Sequence, residues 1–457
     1  MIAIWLTFLL VAIPAVVMEA VAADDGPPWH TMRLGFNVGY ITDTAYYHTA
    51  LARTAADGFT HQRVMGPFLT GLRPAPNATA DWVAWVLGNH TQTLTLTLSD
   101  YPYAIPPDLL ADPTKYLTVW PGQPGTAKLA SEAKYTNRGP IAAWANGSLA
   151  SYGAVLRGLH ALLAVRGLAN RVDFELGNEP NALGYFWGTA GEFAPIADAA
   201  HAALTGGGGG AAGPSRIACC AFATELAGYA MKNGSDNGFY NFARGAARRY
   251  MPTSQTKTPL SFHFYRHSAN DANVNRSTFS NITAFYGEDA LNGSVVTEWG
   301  LFTYNSPRAT AAMSSPALVV ELVHLLTFAY ARSLAEVDAH CLMDNPRKGG
   351  HNCYIDRFGV PKQSYAYLAR VARIVRGGFR VAKTNTSTAG VLTTVAGRSS
   401  GERIVCACGE DADGVNAVRA AFELPAEWGV VASSGFEYDG ATIPANEWLI
   451  VQNEPPN

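Results

Sequence analysis

Apolar and polar positions along the chain switch repeatedly between two periodicities. Short runs with the composition of buried strands alternate with longer segments in which apolar residues recur at helical spacing. Parallel strands need long crossover connections, usually helices, so this alternation is typical of an α/β fold. The pattern predicts strands at Leu34–Ile41, Thr60–Gly66, Thr93–Leu98, Arg171–Gly177, Ile217–Ala223, Leu260–Tyr265, Ser294–Gly300 and Leu334–Met343.

Helices are predicted in the connections, at Tyr46–Asp57, Ala80–Leu87, Leu149–Val165, Gly191–Leu204, Phe239–Tyr250, Phe279–Leu291, Pro316–Ser333 and Ser364–Val375. Eight strand–helix pairs are complete by residue 376, which predicts a (β/α)8 TIM barrel. The proline-rich segment Pro102–Pro124 is long for a plain connection and favours a functional loop.

Helical periodicity is lost after residue 376. Short segments typical of antiparallel strands follow, at Gly390–Val395, Arg403–Cys408, Ala417–Leu424, Gly429–Ser433 and Trp448–Val451. We therefore expect three parts: a signal peptide over residues 1–22, a barrel over 31–376 and a C-terminal β-sandwich domain over 377–457.

The N-terminal segment is predicted to be a secretory signal peptide. Ile2–Val17 is apolar, and Ala20–Ala22 supplies the small residues that precede a cleavage site. The residues before this run include no Lys or Arg, so an uncleaved membrane anchor is the alternative. No later segment is long and apolar enough to span a bilayer, so no span is expected once the signal is removed.

Glycosylation sequons and cysteines agree with export through the secretory pathway. Sequons begin at Asn77, Asn89, Asn146, Asn233, Asn275, Asn281, Asn292 and Asn385. Six cysteines fit an oxidising compartment, and Cys341 and Cys353 bracket a short polar loop that favours a local disulfide. The pairs Cys219–Cys220 and Cys406/Cys408 lack zinc-site spacing and indicate buried thiols or structural bridges.

Charge narrows the choice of partner. Charged residues make up only 15% of the chain, and the net charge is −3. No basic field is present to attract nucleic acid or a sulfated polyanion, so we expect a neutral or weakly charged partner and no nucleic acid. No metal or cofactor motif is found, and the sequence does not indicate an oligomeric state.

Two glutamates lie at the C-terminal ends of predicted strands on facing sides of the barrel. Glu179 ends the string Phe-Glu-Leu-Gly-Asn-Glu after strand four, and Glu298 lies in Val-Val-Thr-Glu-Trp-Gly at strand seven. A barrel has its active site at the C-terminal ends of its strands. Two carboxyl groups that flank one bond are what glycoside hydrolysis requires, since one protonates the leaving oxygen and the other attacks or stabilises the anomeric centre.

These motifs resemble the barrels of glycoside hydrolase clan A. The string Gly177–Asn181 looks most like family 79, the heparanase and β-glucuronidase family. The string Thr297–Trp299 looks more like family 39, which holds β-xylosidases and α-L-iduronidase. The resemblance implies a retaining mechanism with Glu179 as acid/base and Glu298 as nucleophile, and implies that Asn178 bonds the sugar 2-hydroxyl.

Other residues take roles from the resemblance or from position. The resemblance implies that His263 and Tyr265, two apart on one strand face, support the nucleophile. It also implies that Arg63 keeps Glu298 ionised by charge pairing. Trp299, and in second place Trp187, is expected to stack on a sugar face, and the acid is expected to be less solvated than the nucleophile. The glycine-rich region that follows the nucleophile in heparanases is not found, which weighs against a heparan-sulfate substrate.

Structural roles compete with these interpretations. Glu179 and Glu298 can be rim or buried structural glutamates, and His263 can be a core histidine. Glu336, Asp338 and His340 alternate on strand eight, so they line a sugar subsite or form a buried polar network, and a metal site from the three is not expected.

The sequence therefore predicts a secreted retaining glycosidase, β-glucuronidase-like or β-xylosidase-like. It would act on an oligosaccharide or polysaccharide without a cofactor. The alternative is a catalytically silent barrel that binds glycan. The joint presence of both glutamates with Asn178 and Tyr265 favours the enzyme, and carboxyl groups more than about 10 Å apart would favour the silent barrel.

Overall fold

The computed structural model describes residues 28–40, 44–65, 69–70, 73–74, 76–89, 92–98, 118–119, 127–128, 147–181, 190–206, 216–223, 242, 245, 259–265, 282–284, 286–300, 317–344, 353–385, 391–399, 403–407, 412–413, 429–432, 442–443 and 448–452. The predicted signal peptide, most of Pro102–Pro124, Trp187, most of the predicted helix Phe239–Tyr250 and all of the predicted strand Ala417–Leu424 lie outside these residues.

Eight parallel strands close into a barrel. They are β1 (Arg33–Tyr40), β2 (His61–Met65), β3 (Thr93–Thr97), β4 (Val172–Glu175), β5 (Ile217–Ala223), β6 (Leu260–Tyr265), β7 (Val295–Gly300) and β8 (Glu336–His340). Each strand pairs with the next along the chain, and β8 returns to pair with β1. All eight predicted strands are confirmed, with small differences at their ends.

Helices surround the barrel. They are α1 (Thr44–Ala56), α2 (Pro76–Asn89), α3 (Gly147–Val165), α4 (Ala190–Thr205), α5 (Glu288–Leu291), α6 (Ala317–Ala331) and α7 (Gln363–Val375). In α7, Leu368, Val371 and Ile374 among others are buried at helical spacing, which explains why this segment is an amphipathic helix. Outward-facing strand residues such as Phe36 and Phe262 join the helices in one apolar core, where each buried aromatic side chain contributes about 1.5–3 kcal/mol.

An antiparallel sheet follows the barrel. Its strands are β9 (Phe379–Asn385), β10 (Val391–Gly397), β11 (Arg403–Ala407), β12 (Gly429–Ala432) and β13 (Trp448–Gln452), in the order β9-β10-β11-β13-β12. The two-residue strands 412–413 and 442–443 pair separately. The predicted fold class, a TIM barrel with a sandwich-like C-terminal β domain, is confirmed.

Strand β9 has no counterpart among the predicted strands. It follows α7 after only three residues and packs against α6, while β10 packs against both α6 and α7. His30, ahead of the barrel, exchanges two backbone hydrogen bonds of 2.8 Å with Phe379. The chain before β1 thus extends the C-terminal sheet, a long-range pairing that local periodicity does not reveal.

The lower part of the barrel interior is polar. The carboxylate of Glu336 accepts hydrogen bonds from Arg33 at 2.6 Å and from Arg216, and both arginines also pair with Asp173. Asp338 lies above Glu336, where the Cβ atom of any side chain at position 35 would collide with Asp338 Oδ1. Burial and the neighbouring Glu336 raise the pKa of Asp338 well above its usual value. Glu336 and Asp338 therefore belong to a buried network, the second of the two roles considered for them.

The described part of the chain contains two disulfides. The predicted Cys341–Cys353 bridge is confirmed, and Cys219 is joined to Cys220 on β5. Cys406 is completely buried on β11. Among the described helices, none combines the length and the apolar character needed to cross a membrane.

Candidate active site

Glu298 lies on β7 where donors from three other strands converge. A register shift after Phe262 skips Thr297 and sets Glu298 opposite His263 of β6. Its Oε1 accepts from Asn37 Nδ2 and from Arg63 Nη1, each at 2.6 Å. Its Oε2 accepts from the Tyr265 hydroxyl. Because the residue is only 5% exposed, these donors replace water around the carboxylate.

The donors keep the Glu298 carboxyl ionised. Burial is the largest influence and by itself would raise the pKa, but His263, His340, Arg63 and the Tyr265 hydroxyl act in the opposite direction and lower it to about 2. Burial also lowers the pKa of both imidazoles, that of His263 to about 3, so both rings are uncharged at neutral pH. Arg63 and the neutral donors therefore hold the carboxylate in its charged form under those conditions.

Arg63 connects both halves of the site. It is completely buried on β2, and its Nε donates to Glu175 Oε2 at 2.7 Å. Its Nη2 donates to Asn178 Oδ1 at 2.9 Å, while Nη1 donates to Glu298. Thr97 adds a hydrogen bond of 2.8 Å to the same oxygen of Glu175. A buried guanidinium with this many acceptors is fixed in place, and so are the side chains that it contacts.

Glu179 lies on the turn that follows β4. Its φ of 46° is in the left-handed region, which is uncommon for a residue with a side chain and is enriched at functional sites. Strand β5 holds the turn, because the Glu179 backbone N–H donates to Ala221 O at 2.9 Å. The Asn181 side chain also bonds both the N–H and the carbonyl of Ala223, at 2.9 and 2.7 Å. The carboxyl Oε1 lies 2.7 Å from Nδ1 of the neutral His263 ring.

The two glutamates form a close pair. One carboxyl oxygen of each, together with a ring nitrogen of His263, lie within 4.8 Å of one another. Glu179 is 3% exposed and Glu298 5%, so the expected difference in solvation is small. The difference lies in their partners: Glu298 contacts a guanidinium, whereas Glu179 contacts an uncharged imidazole.

The structure brings together six of the seven residues selected from the sequence, namely Arg63, Asn178, Glu179, His263, Tyr265 and Glu298. Trp299 is the exception. Side chains alternate along a strand, so Trp299 faces away from Glu298 into the apolar core, where it is completely buried. A ring in this position offers no face to a sugar, and the stacking role expected for Trp299 has no support.

Sequence reasoning assigned no role to Asn37 or Glu175 and did not separate His340 from its strand neighbours. Asn37 bonds the carboxylate of Glu298, and His340 Nδ1 lies 3.6 Å from Glu298 Oε2. Glu175 lies within the motif that identified Glu179, and two-residue alternation from Asp173 could have placed it inside the barrel. Nothing local in the sequence distinguishes Asn37.

Among the described residues, two clusters have the geometry to hold a metal ion: His61 with Glu336 and Asp338, and Glu179 with His263 and Glu298. In each, a guanidinium already contacts a carboxylate at 2.6 Å, Arg33 at Glu336 and Arg63 at Glu298. A divalent cation would be repelled by that charge, which makes both clusters poor metal sites.

No protein-family model and no curated protein matches this sequence. The chain is similar in structure to Xyn30A, a family 30 subfamily 8 xylanase from Clostridium acetobutylicum, with a TM-score of 0.52 and 14% identity over 93% of this chain and 96% of that one. This fold is shared with glycoside hydrolases. A family 30 endoxylanase from Clostridium papyrosolvens C71 is similar as well, with a TM-score of 0.50 and 13% sequence identity over 92% of this chain and 96% of that one.

A glucosidase from Croceicoccus marinus gives a TM-score of 0.50 and 11% identity over 93% of this chain and 97% of that one. At such identities the similarity concerns the fold, which extends over the barrel and the C-terminal sheet. The resemblance to families 79 and 39 stays a prediction.

Proposed function

We propose that the protein is a retaining O-glycoside hydrolase that cleaves a β-glycosidic bond, with Glu179 as acid/base and Glu298 as nucleophile. The observation that carries the proposal is the approach of the two carboxyl groups to within 4.8 Å at the C-terminal ends of the strands. Retaining glycosidases have separations of about 5–5.5 Å, and inverting ones need about 6.5–9.5 Å to admit a water. A silent barrel has no need of this spacing.

The chemistry follows from the partners of each carboxyl group. Glu298 attacks the anomeric carbon and forms a glycosyl ester, while the Glu179 proton passes to the glycosidic oxygen as that C–O bond breaks. In the second half, Glu179 takes a proton from water, and the water oxygen replaces Glu298 at the anomeric carbon. The neutral His263 ring suits this role, because it positions Glu179 without favouring its charged form as a cation would.

Asn178 is proposed to bind the sugar 2-hydroxyl. Its Oδ1 accepts from Arg63, which fixes the orientation of the amide. The amide N–H donors are then directed to the other side, where a hydroxyl oxygen can accept them. A hydrogen bond at this hydroxyl strengthens in the transition state and contributes to the rate.

The test is covalent labelling with cyclitol epoxide probes of several sugar configurations, followed by peptide mapping. We expect one configuration to label Glu298, because the ionised carboxylate opens the epoxide as it would attack the anomeric carbon. A label on another residue, or no label from any probe on folded protein, would overturn the proposal.

We also propose that the protein is secreted and N-glycosylated. Two sequon residues in the described part of the chain, Asn77 and Asn292, are exposed and accessible to modification. The peptide map from protein expressed in eukaryotic cells tests this as well. It should show glycans at these two positions and a mature N-terminus near Ala23, and unmodified Asn77 and Asn292 would contradict it.

Replacing Glu179 by Gln should lower kcat by about 10²–10⁴-fold on substrates with alcohol leaving groups. The rate of the first, glycosylation step should fall far less for substrates with an activated phenolate leaving group, since these substrates need little proton donation. The measurement is kcat/KM for a matched alkyl and dinitrophenyl glycoside pair. Equal losses on both substrates would argue against the acid role.

A further inference from the structure

A histidine on the side of the nucleophile opposite His263 has no role in the mechanism above. His340 is the last residue of β8 and pairs in register with Asn37 of β1. Its side chain is 29% exposed, whereas those of Arg63, His263 and Glu298 are at most 6% exposed. His340 is thus accessible from the mouth of the barrel while its Nδ1 lies 3.6 Å from Glu298 Oε2.

The hydrogen bonds of Asn37 determine the tautomer of His340. Asn37 Nδ2 donates one hydrogen to Glu298 Oε1 at 2.6 Å. An ionised carboxylate has no hydrogen to donate, so the amide atom that faces it is the nitrogen and not the oxygen, and this fixes the orientation of the amide. The same nitrogen lies 3.0 Å from His340 Nδ1. Since an amide nitrogen does not accept, Nδ1 is the acceptor, and the ring proton is on Nε2.

The ring is held in place before any ligand arrives. Leu342 N–H donates to the Asn37 carbonyl at 3.1 Å, so the same asparagine holds the backbone beyond His340. The Cys341–Cys353 disulfide fixes the next residue. Tyr265 contacts the imidazole edge to face, with ring centroids 5.7 Å apart. A preorganised N–H donor beside the nucleophile loses little entropy when it binds.

We propose that His340 is a specificity-determining residue that donates a hydrogen bond from Nε2 to a hydroxyl of a neutral glycone. This rests on the proposed function. The ring is uncharged, and among the described residues Arg63 is the one guanidinium at Glu298, already bonded to three acceptors. The described part of the subsite therefore supplies a neutral donor and no available cation. This chemistry fits a hydroxyl and does not fit the carboxylate of a uronic acid.

The test compares aryl β-glucoside, β-xyloside and β-glucuronide with wild type, His340→Phe and His340→Gln. Phe keeps a ring without a donor, and Gln restores an N–H near the position of Nε2. We expect wild type to prefer a neutral glycoside over the glucuronide. His340→Phe should lower kcat/KM on the neutral substrate by about tenfold, as for loss of one hydrogen bond, and His340→Gln should recover most of it.

Deoxy glycosides separate recognition from a structural effect. The tenfold difference in kcat/KM between wild type and His340→Phe should vanish on the deoxy substrate that lacks the hydroxyl bound by His340. It should persist on deoxy substrates that lack any other hydroxyl. Equal losses on every deoxy substrate, or a wild-type preference for the glucuronide, would overturn the assignment while the hydrolase function stands. A wild-type protein that neither turns over any glycoside nor reacts with any epoxide probe would overturn both.

Discussion

Replacing Glu298 by Gln should reduce kcat by about 10⁴-fold or more, as for loss of the nucleophile in other covalent mechanisms, while the protein stays folded. The amide cannot form the glycosyl ester. It can still satisfy its neighbours, because its carbonyl oxygen accepts from Arg63 and Asn37 and its N–H₂ faces the Tyr265 oxygen. Alanine would instead leave these three donors without an acceptor in a buried site, which is why Gln is the better probe.

The matched control is Glu288→Gln, the same change at an exposed glutamate that pairs with Arg332. Turnover of an aryl glycoside and the thermal midpoint Tm should both stay at wild-type values in this control. For Glu298→Gln, Tm should stay within a few degrees while turnover is lost. A Glu298→Gln protein that keeps a tenth of wild-type kcat would rule out nucleophilic catalysis by this residue.

The sequence predicted the barrel well because its strands are buried on both faces and are set apart by helical segments. It also predicted the glutamate pair, since both motifs stand at strand ends that a barrel brings to one side. Contacts that depend on closure of the barrel could not be predicted from local patterns in the sequence. Asn37 reaches Glu298 only because β8 returns to pair with β1.

Depth within the barrel decides between the two roles that the sequence left open for Glu336, Asp338 and His340. Two-residue alternation correctly put Glu336, Asp338 and His340 on one face, but a strand rises about 3.3 Å per residue. His340 therefore lies about 13 Å further along the strand than Glu336, at the mouth, while Glu336 joins the arginines below. The same alternation puts the side chain of Trp299 on the opposite face of β7 from Glu298. If Glu298 points into the active site, Trp299 cannot, so the predicted stacking of Trp299 on a sugar was inconsistent with the predicted position of the nucleophile.

Arg63→Met should be the most destabilising single change in the site, costing about 3–5 kcal/mol in the free energy of unfolding. The guanidinium is completely buried and contacts the carboxylates of Glu175 and Glu298 at 2.6 Å each. Methionine fills much of the space but leaves two buried carboxylates without a countercharge. Activity should fall as well, because Glu298 would no longer be held ionised and Asn178 would lose the bond that orients its amide.

The loss of stability in Arg63→Met should depend on pH in a defined direction. In wild type, the Glu298 pKa of about 2 lies below its unfolded value, so its ionisation stabilises the fold above about pH 4.5 and this contribution is lost as the pH falls toward 2. Without Arg63 the pKa rises, and the variant carries a buried uncompensated charge at neutral pH that protonation relieves. The difference in unfolding free energy between wild type and Arg63→Met should therefore be largest at pH 7 and shrink at pH 5 and pH 4, as measured by urea denaturation.

Two further variants make the argument specific. The double variant Arg63→Met/Glu175→Gln lacks one of the two carboxylates that Arg63→Met leaves without a countercharge, so it should recover part of the lost stability. If the two substitutions acted independently, their effects on the free energy of unfolding would simply add. Arg332→Met removes an arginine from a surface pair and should change stability little at any of these pH values. If Arg63→Met matched wild type within about 1 kcal/mol at pH 7, or if the difference grew on acidification, Arg63 would not be the group that keeps Glu298 charged.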